Sequence, residues 1–204
     1  APMKDSGIPW IGEIPAHWTL QPIKRFVRFH NNRRIPLSGE ERADLEKVYD
    51  YYGASGVIDK VDRYLFDHDH ILIGEDGANL LSRSSPLAFV AKGKYWVNNH
   101  AHILEPIGGQ LSFWAERLEC FSYAPFVTGA AQPKLTIEAL GGIPISAPDI
   151  SEQAEIGFYT ESVNAIFGPK AETIALSITK LTEYRQSLIS AAVTGQLPLP
   201  EETA

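Results

Sequence analysis

Residues 151–195 run SEQAEIGFYTESVNAIFGPKAETIALSITKLTEYRQSLISAAVTG, a nearly unbroken helix-forming segment. A lone helix of that length cannot bury an apolar stripe on itself, so the chain demands a partner helix. Its ends are marked. Asp149 or Ser151 can cap the start, Glu152 and Glu155 favour the positive end of the helix dipole, and Gly195 followed by Pro198 is a stop signal. Inside, Ile156, Tyr159, Val163 and Ile166 form one apolar set, and Ile174, Ile178, Leu181, Leu188 and Ala192 form another, with Arg185 in its gap. Both follow a repeat of about 3.5 residues, but they are out of phase across Gly168-Pro169. A proline inside a helix costs roughly 3 kcal/mol, so a kink or break is expected there. If straight, the whole piece would reach on the order of 60 Å.

The preceding 150 residues read as a globule. A chain that is 44% hydrophobic and 21% charged is neither disordered nor fibrous. No run of about 18 apolar residues occurs, and the start APMKDSGIPW has no cationic-apolar leader, so a cytoplasmic protein is expected. Cys120 is the only cysteine, which excludes an internal disulfide and a cysteine-based zinc site; it reads as a small core residue. The formal charge is −7. Proteins that grip nucleic acid unaided carry a basic face. A DNA-binding role here needs either local clustering of cations or a partner that supplies phosphate contacts.

Punctuated by Pro9 and Pro15, GIPWIGEIPAHW should be an extended segment that buries Trp10 and Trp18. IKRFVRF reads as a half-buried strand exposing Lys24, Arg25 and Arg28, and HNNRRIPLSGEE as a polar loop. Several short strands are expected between residues 45 and 80, then PLAFVA and KYWVNNHAHILEP as a hairpin turning at Lys92-Gly93-Lys94. Leu111, Trp114, Leu118 and Phe121 recur at helical spacing. KLTIEALGGIPISAP closes the body with a helical turn and a Pro-bounded strand. The fold class is therefore α+β: a twisted mixed sheet with short helices over 1–148, a long kinked helix over 149–195, and a tail over 196–204.

GIPWIGEIPAHW, YYGASGVID, LIGEDGA, WVNNHAHIL, GAAQPKL, IPISAPDISEQAEI and LTEYRQSLISAAVTGQL, in this order, closely resemble the specificity subunit of type I restriction-modification enzymes. The resemblance implies a target recognition domain that reads a few base pairs of double-stranded DNA. It also implies a following helix that pairs antiparallel as a spacer, with methyltransferase and restriction subunits as partners. The usual subunit has two such units, and this chain resembles one, a half-subunit form that would pair with a second copy of itself or with another half-subunit. Pairing of its helix would give a homodimer reading an interrupted palindrome. No cofactor is expected here: S-adenosylmethionine and ATP belong to the partner subunits. The residues agree, since no Gly-rich phosphate loop, Rossmann fingerprint, N-P-P-Y or D-P-P-Y is present.

For base or phosphate contact the candidates are Arg33, Arg34, Lys60, Arg63, Arg83, Lys92, Lys94 and Lys134, with Arg33, Arg34 and Arg83 favoured because no acid lies within three residues of them. Gly129, Gln132 and Pro133 of GAAQPKL read as structural, holding the globule against its helix. Two rival readings stay open. One is a metal-dependent enzyme on a β scaffold using His68 with His70 and His100 with His102. The other is a DNA-inert assembly module.

Overall fold

The computed structural model describes residues 1–129 and 131–197. In chain order it contains β1 (Met3–Asp5), β2 (Glu13–Pro15), β3 (Thr19–Pro22), β4 (Val27–Phe29), α1 (Gly39–Ala43), β5 (Tyr49–Gly53), β6 (Gly56–Val61), β7 (His70–Gly74), α2 (Asn79–Ser82), β8 (Ala88–Ala91), β9 (Tyr95–Val97), β10 (Ala101–Pro106), α3 (Leu111–Glu119), α4 (Ile137–Gly142), β11 (Pro144–Ala147) and α5 (Ile150–Val193). This is the α+β organisation the sequence implied. The chain divides into two compact units, 1–160 and 161–204.

The first unit is built around a four-stranded antiparallel sheet in the order β4-β10-β7-β8. β7, HILIG, is buried at every position because both faces of the sheet are covered. Side chains alternate along a strand, so Ile71 and Ile73 enter one core with Phe113, Trp114 and Leu118 of α3 and with Leu140, Ile143 and Ile145. Leu72 enters the opposite core with Phe66, Tyr95, Val97 and Ile103. A second sheet, β6-β5-β9, adds a smaller core of Tyr51, Val61 and Trp96.

Several expectations are corrected. Lys92-Gly93-Lys94 is not a hairpin turn: β8 pairs with β7, whereas β9 leaves that sheet and runs parallel to β5. Gly93 has φ +67 and donates its N–H to the Asp69 carboxylate, so the glycine redirects the chain between sheets. The hairpin lies instead at Gly53-Ala54-Ser55-Gly56, between β5 and β6. IKRFVRF begins with a 3-10 turn, Ile23–Arg25, before β4. The HNNRRIPLSGEE loop runs into α1, whose N-terminus is fixed by a capping box between Ser38 and Glu41. Trp10 is exposed, resting edge-on against Phe121 and Phe126, and Trp18 is half-buried with its indole N–H donated to Glu152. Cys120 is exposed, because α3 turns its Phe113, Trp114 and Leu118 inward and ends at Glu119.

α5 starts where expected, with Asp149 as its cap: the Asp149 carboxylate accepts from the Glu152 N–H at 3.0 Å. Its opening turns belong to the first unit and pack closely. Gln153 and Gly157, one turn apart, are buried, and Ile156 joins the main core instead of a coiled-coil seam. A Cβ on Gly157 would lie 2.6 Å from Gln110 Cγ and 2.7 Å from Ser112 Oγ. That close approach explains a glycine in a helix, where it costs about 1 kcal/mol relative to alanine.

Within the second unit the helix runs through Pro169 without a break. One missing donor among 44 residues is tolerated when its neighbours keep the ladder. On an unbroken helix at about 100° per residue, Val163 and Phe167, not Ile166, line up with Ile174, Ile178, Leu181, Leu188 and Ala192. Ile174, Ile178 and Leu181 are 59%, 59% and 66% exposed. Leu188 is exposed too, and Ala192 is half-buried. The helix ends at Gly195, φ +73, whose neighbour Gln196 donates back to Ala191 O. Pro198 and the tail from 198 to 204 lie outside the described residues.

Two substitutions at helical glycines should move stability in opposite directions. Gly157→Leu overpacks a filled contact, on the order of 1–3 kcal/mol; at about 2–4 °C per kcal/mol for a chain of this size, Tm should fall by roughly 5 °C. Gly168 has nothing within 4 Å of its virtual Cβ, so Gly168→Ala should raise Tm slightly. Differential scanning calorimetry of both variants checks the pair.

Candidate nucleic-acid interface

β7 ends at Gly74, and the next residue carries a carboxylate into a nearly closed space. The Glu75 carboxylate meets Arg34 Nη1 at 2.5 Å, their side chains 12% and 14% exposed, and Lys134 Nζ at 3.3 Å. The same Arg34 guanidinium donates to Ala101 O and Asn99 O. Burial alone would push the Glu75 pKa up, but the Arg34 hydrogen bond and the surrounding positive charge outweigh it and hold the carboxyl below its usual value. His102, fully buried, donates from Nε2 to Leu135 O and accepts at Nδ1 from Asn31. Those two bonds fix a neutral imidazole, and burial lowers its pKa accordingly.

The segments LIGEDGA, WVNNHAHIL and GAAQPKL thus meet in one network. Leu135 N donates to Glu75 O, Gly77 N donates to Pro133 O, and the His100 ring pairs with Asp76 at 2.8 Å. Gly129 has φ +85, and a Cβ there would lie 2.4 Å from Gln132 O. GAAQPKL has the structural part expected, with one correction: it is pinned to the loop after β7, not to the long helix. Ala130 lies outside the described residues.

Of the eight candidate cations, three are tied into structure. Arg34 and Lys134 hold Glu75. Arg83 adopts a left-handed conformation, φ 47, and closes α2, while its guanidinium pairs with Glu119 at 2.6 Å and donates to Phe121 O. A left-handed non-glycine residue costs roughly 1–2 kcal/mol, which these contacts offset.

The remaining five lie toward β6, β9 and the loop between β6 and β7. Arg33 donates to Leu65 O and stacks 4.4 Å above the Phe66 ring. Arg63 lies 5.6 Å from the Trp96 ring and Lys94 4.8 Å from that of Tyr64. Phe66 stacks in turn on Tyr95 at 5.5 Å, and Trp96 Nε1 donates to Ile35 O. Arg33, Arg63 and Lys94 are therefore placed around two adjoining segments, 62–66 and 94–96, and are steadied by aromatic faces. Lys60 pairs with Asp50 at 2.8 Å, Arg63 with Asp62 at 3.6 Å, and Lys92 is exposed. Such exposed ion pairs are weak and exchangeable for a phosphate. A cation already packed on a ring loses less freedom when it binds. The aromatic underlay was the signal missed in sequence: Tyr64 directly follows Arg63 and Trp96 lies two residues after Lys94, each ring supporting the cation of the other segment, while Phe66 supports the distant Arg33.

The two His-x-His pairs do not form centres. His68 is exposed beside Asp67, whereas His70, which opens β7, is buried with Nδ1 2.6 Å from Tyr95 Oη. His100 precedes β10 and pairs with Asp76, while His102 turns to Leu135.

A family model described as the type I restriction modification DNA specificity domain matches residues 15–165. The chain belongs to this family. It is 32% identical over 149 residues to the putative type I restriction enzyme specificity subunit S.HindORF215P of Haemophilus influenzae, covering 72% of this chain and 37% of that one. To the EcoprrI specificity subunit of Escherichia coli it is 25% identical over 148 residues, covering 72% and 34%. The chain thus spans about a third of the length of these curated relatives. Its fold matches the type I S subunit from M. genitalium with a TM-score of 0.58 at 15% identity, over 85% of this chain and 45% of that one.

The network around Glu75 has a pH signature. Because the folded pKa of Glu75 is depressed, its stabilisation is present above the unfolded value of 4.5 and is lost as pH falls through the folded value. Buried, neutral His102 and His70 also have depressed values, so the unfolded chain takes up their protons first and stability starts to fall below about pH 6.5. Thermal melts between pH 7 and 3 should show both stages, and Glu75→Gln should flatten the lower one. Arg34→Ala removes the closer of the two cations on the largely buried Glu75 carboxylate and should destabilise by about 1.5–3 kcal/mol, read by urea denaturation.

Proposed function

We propose that this chain gives sequence specificity to a type I restriction-modification complex, reading one half of a bipartite DNA target and directing partner subunits to it. The observation that carries this reading is the coincidence of two facts. The specificity-domain match spans residues 15–165, and inside it Arg33, Arg63 and Lys94 are mounted on aromatic rings in one neighbourhood. Guanidinium groups read guanine and grip phosphate, and Lys60 and Lys92 extend the set. The acidic overall balance fits a protein that selects the site while methyltransferase subunits supply much of the phosphate contact. Catalysis then belongs to the partners, with S-adenosylmethionine on the methyltransferase and ATP on the restriction subunits.

The row Ile174, Ile178, Leu181, Leu188 and Ala192 is the surface through which a second copy, or another half-subunit, pairs with α5. The exposure of its first three isoleucine and leucine side chains supports this reading: on one chain they are left in water, and pairing removes them from it.

Mapping methylated adenines in DNA modified by this chain with its cognate methyltransferase tests the role directly. A discrete interrupted motif is expected, and no modification under any partner condition would favour an inert assembly module. Replacing Arg33, Arg63 and Lys94 together by alanine should lower site-specific methylation on the order of 100-fold or more, at about 1–3 kcal/mol per lost contact. Melting of the triple variant must stay near the wild type. Leu181→Glu with Leu188→Glu should shift sedimentation from dimer to monomer.

A further inference from the structure

Three side chains from three adjoining strands meet on the sheet face that carries Phe66 and Tyr95. His30 follows β4, His70 opens β7 and Glu105 lies on β10. The pairing explains the meeting. Glu105 is opposite Arg28, so it shares a face with His30 two residues on; Leu104 is opposite Ile71, so Glu105 also shares a face with His70. One ligand-capable atom from each lies within 4.8 Å of the other two, and His30 Nε2 is 2.7 Å from Glu105 Oε2.

His70 is prepared in a way that an ordinary packed histidine is not. Its Nδ1 lies 2.9 Å from His68 O, which can only accept, so Nδ1 bears the hydrogen and Nε2 keeps the lone pair. Tyr95 Oη, 2.6 Å from the same Nδ1 and itself donating to His68 O at 3.1 Å, fixes the ring's orientation. An imidazole whose far nitrogen is anchored by a carbonyl and a hydroxyl is the usual support of a metal-binding histidine. Solvent reaches the cluster through Glu105 and His30: the Glu105 side chain is 43% exposed and that of His30 23%, while His70 is buried.

We propose that His30, His70 and Glu105 form a binding site for a divalent transition-metal ion of the zinc class, completed by water. Two imidazoles and one carboxylate are borderline ligands that suit zinc, cobalt or nickel and disfavour calcium or magnesium. Donors in a tetrahedral site stand about 3.4 Å apart, at roughly 2.1 Å from the metal. His30 Nε2 and Glu105 Oε2, now 2.7 Å apart, must separate to admit an ion between them, which rotation of the exposed Glu105 allows. The ion takes the place of the hydrogen now shared between His30 Nε2 and Glu105. It would tie β4 to β7 and β10 directly before the Asn31–Arg33 turn, and so brace Arg33 on Phe66.

The test uses the full chain and the metal alone, so it is independent of whether the protein reads DNA. After chelator treatment, titration with Co2+ should give visible d–d bands that saturate at one equivalent, and Zn2+ should displace them and raise Tm. His30→Gln and Glu105→Gln, both at solvent-reached positions, should each abolish the one-equivalent band while melting like the metal-free wild type. Tyr95→Phe should weaken Zn2+ binding by about tenfold. Absence of saturable binding to the wild type overturns the site, and so does binding that survives in both glutamine variants.

Discussion

A carboxylate largely withdrawn from water must be answered by positive charge, and the position of Glu75 imposes that demand on three distant parts of the chain. Arg34 comes from the segment after β4, Lys134 from the strand-like bridge before α4, and the backbone of Leu135 closes on Glu75 itself. Losing either cation leaves the carboxylate under-compensated, so the three segments are held as a set. The arrangement also sorts two neighbouring arginines. Arg34 turns inward to Glu75, and Arg33 turns to Phe66. One secures the scaffold while the other is presented at its surface.

Much of the architecture was readable. The cap at Asp149, the stop at Gly195, α3 from its apolar spacing and the closing α4–β11 pair all follow from local chemistry that acts over a few residues. The failures share one cause, which is tertiary placement. Gly93 resembles a hairpin turn because its flanks are strands, but a turn signal does not say which partner each strand takes. Trp10 and Cys120 belong to residue types that are often buried, yet both fall on an exposed face beside Phe121.

The same limit governed the candidate site. Arg34 and Arg83 were favoured because no acid lies close in sequence, but their partners Glu75 and Glu119 are 41 and 36 residues away. Sequence distance is a poor guide to ion pairing once strands from different parts of the chain are neighbours. Arg63 and Lys94, less favoured, stand on Trp96 and Tyr64 in a region that no single stretch of sequence displays.

β7 is apolar toward both of its cores, and this leaves a question of indexing that grease alone does not answer. Sliding Ile71, Leu72 and Ile73 by one position would still present an aliphatic side chain to each side, so hydrophobicity discriminates weakly between the two alignments. What discriminates is at the ends. A one-step slide would pull His70 off the Tyr95 hydroxyl and drag Glu75 from Arg34, stranding a polar group at either terminus. The strand is threaded like a bolt between two polar stops, and its alignment is set by the residues that least resemble a core.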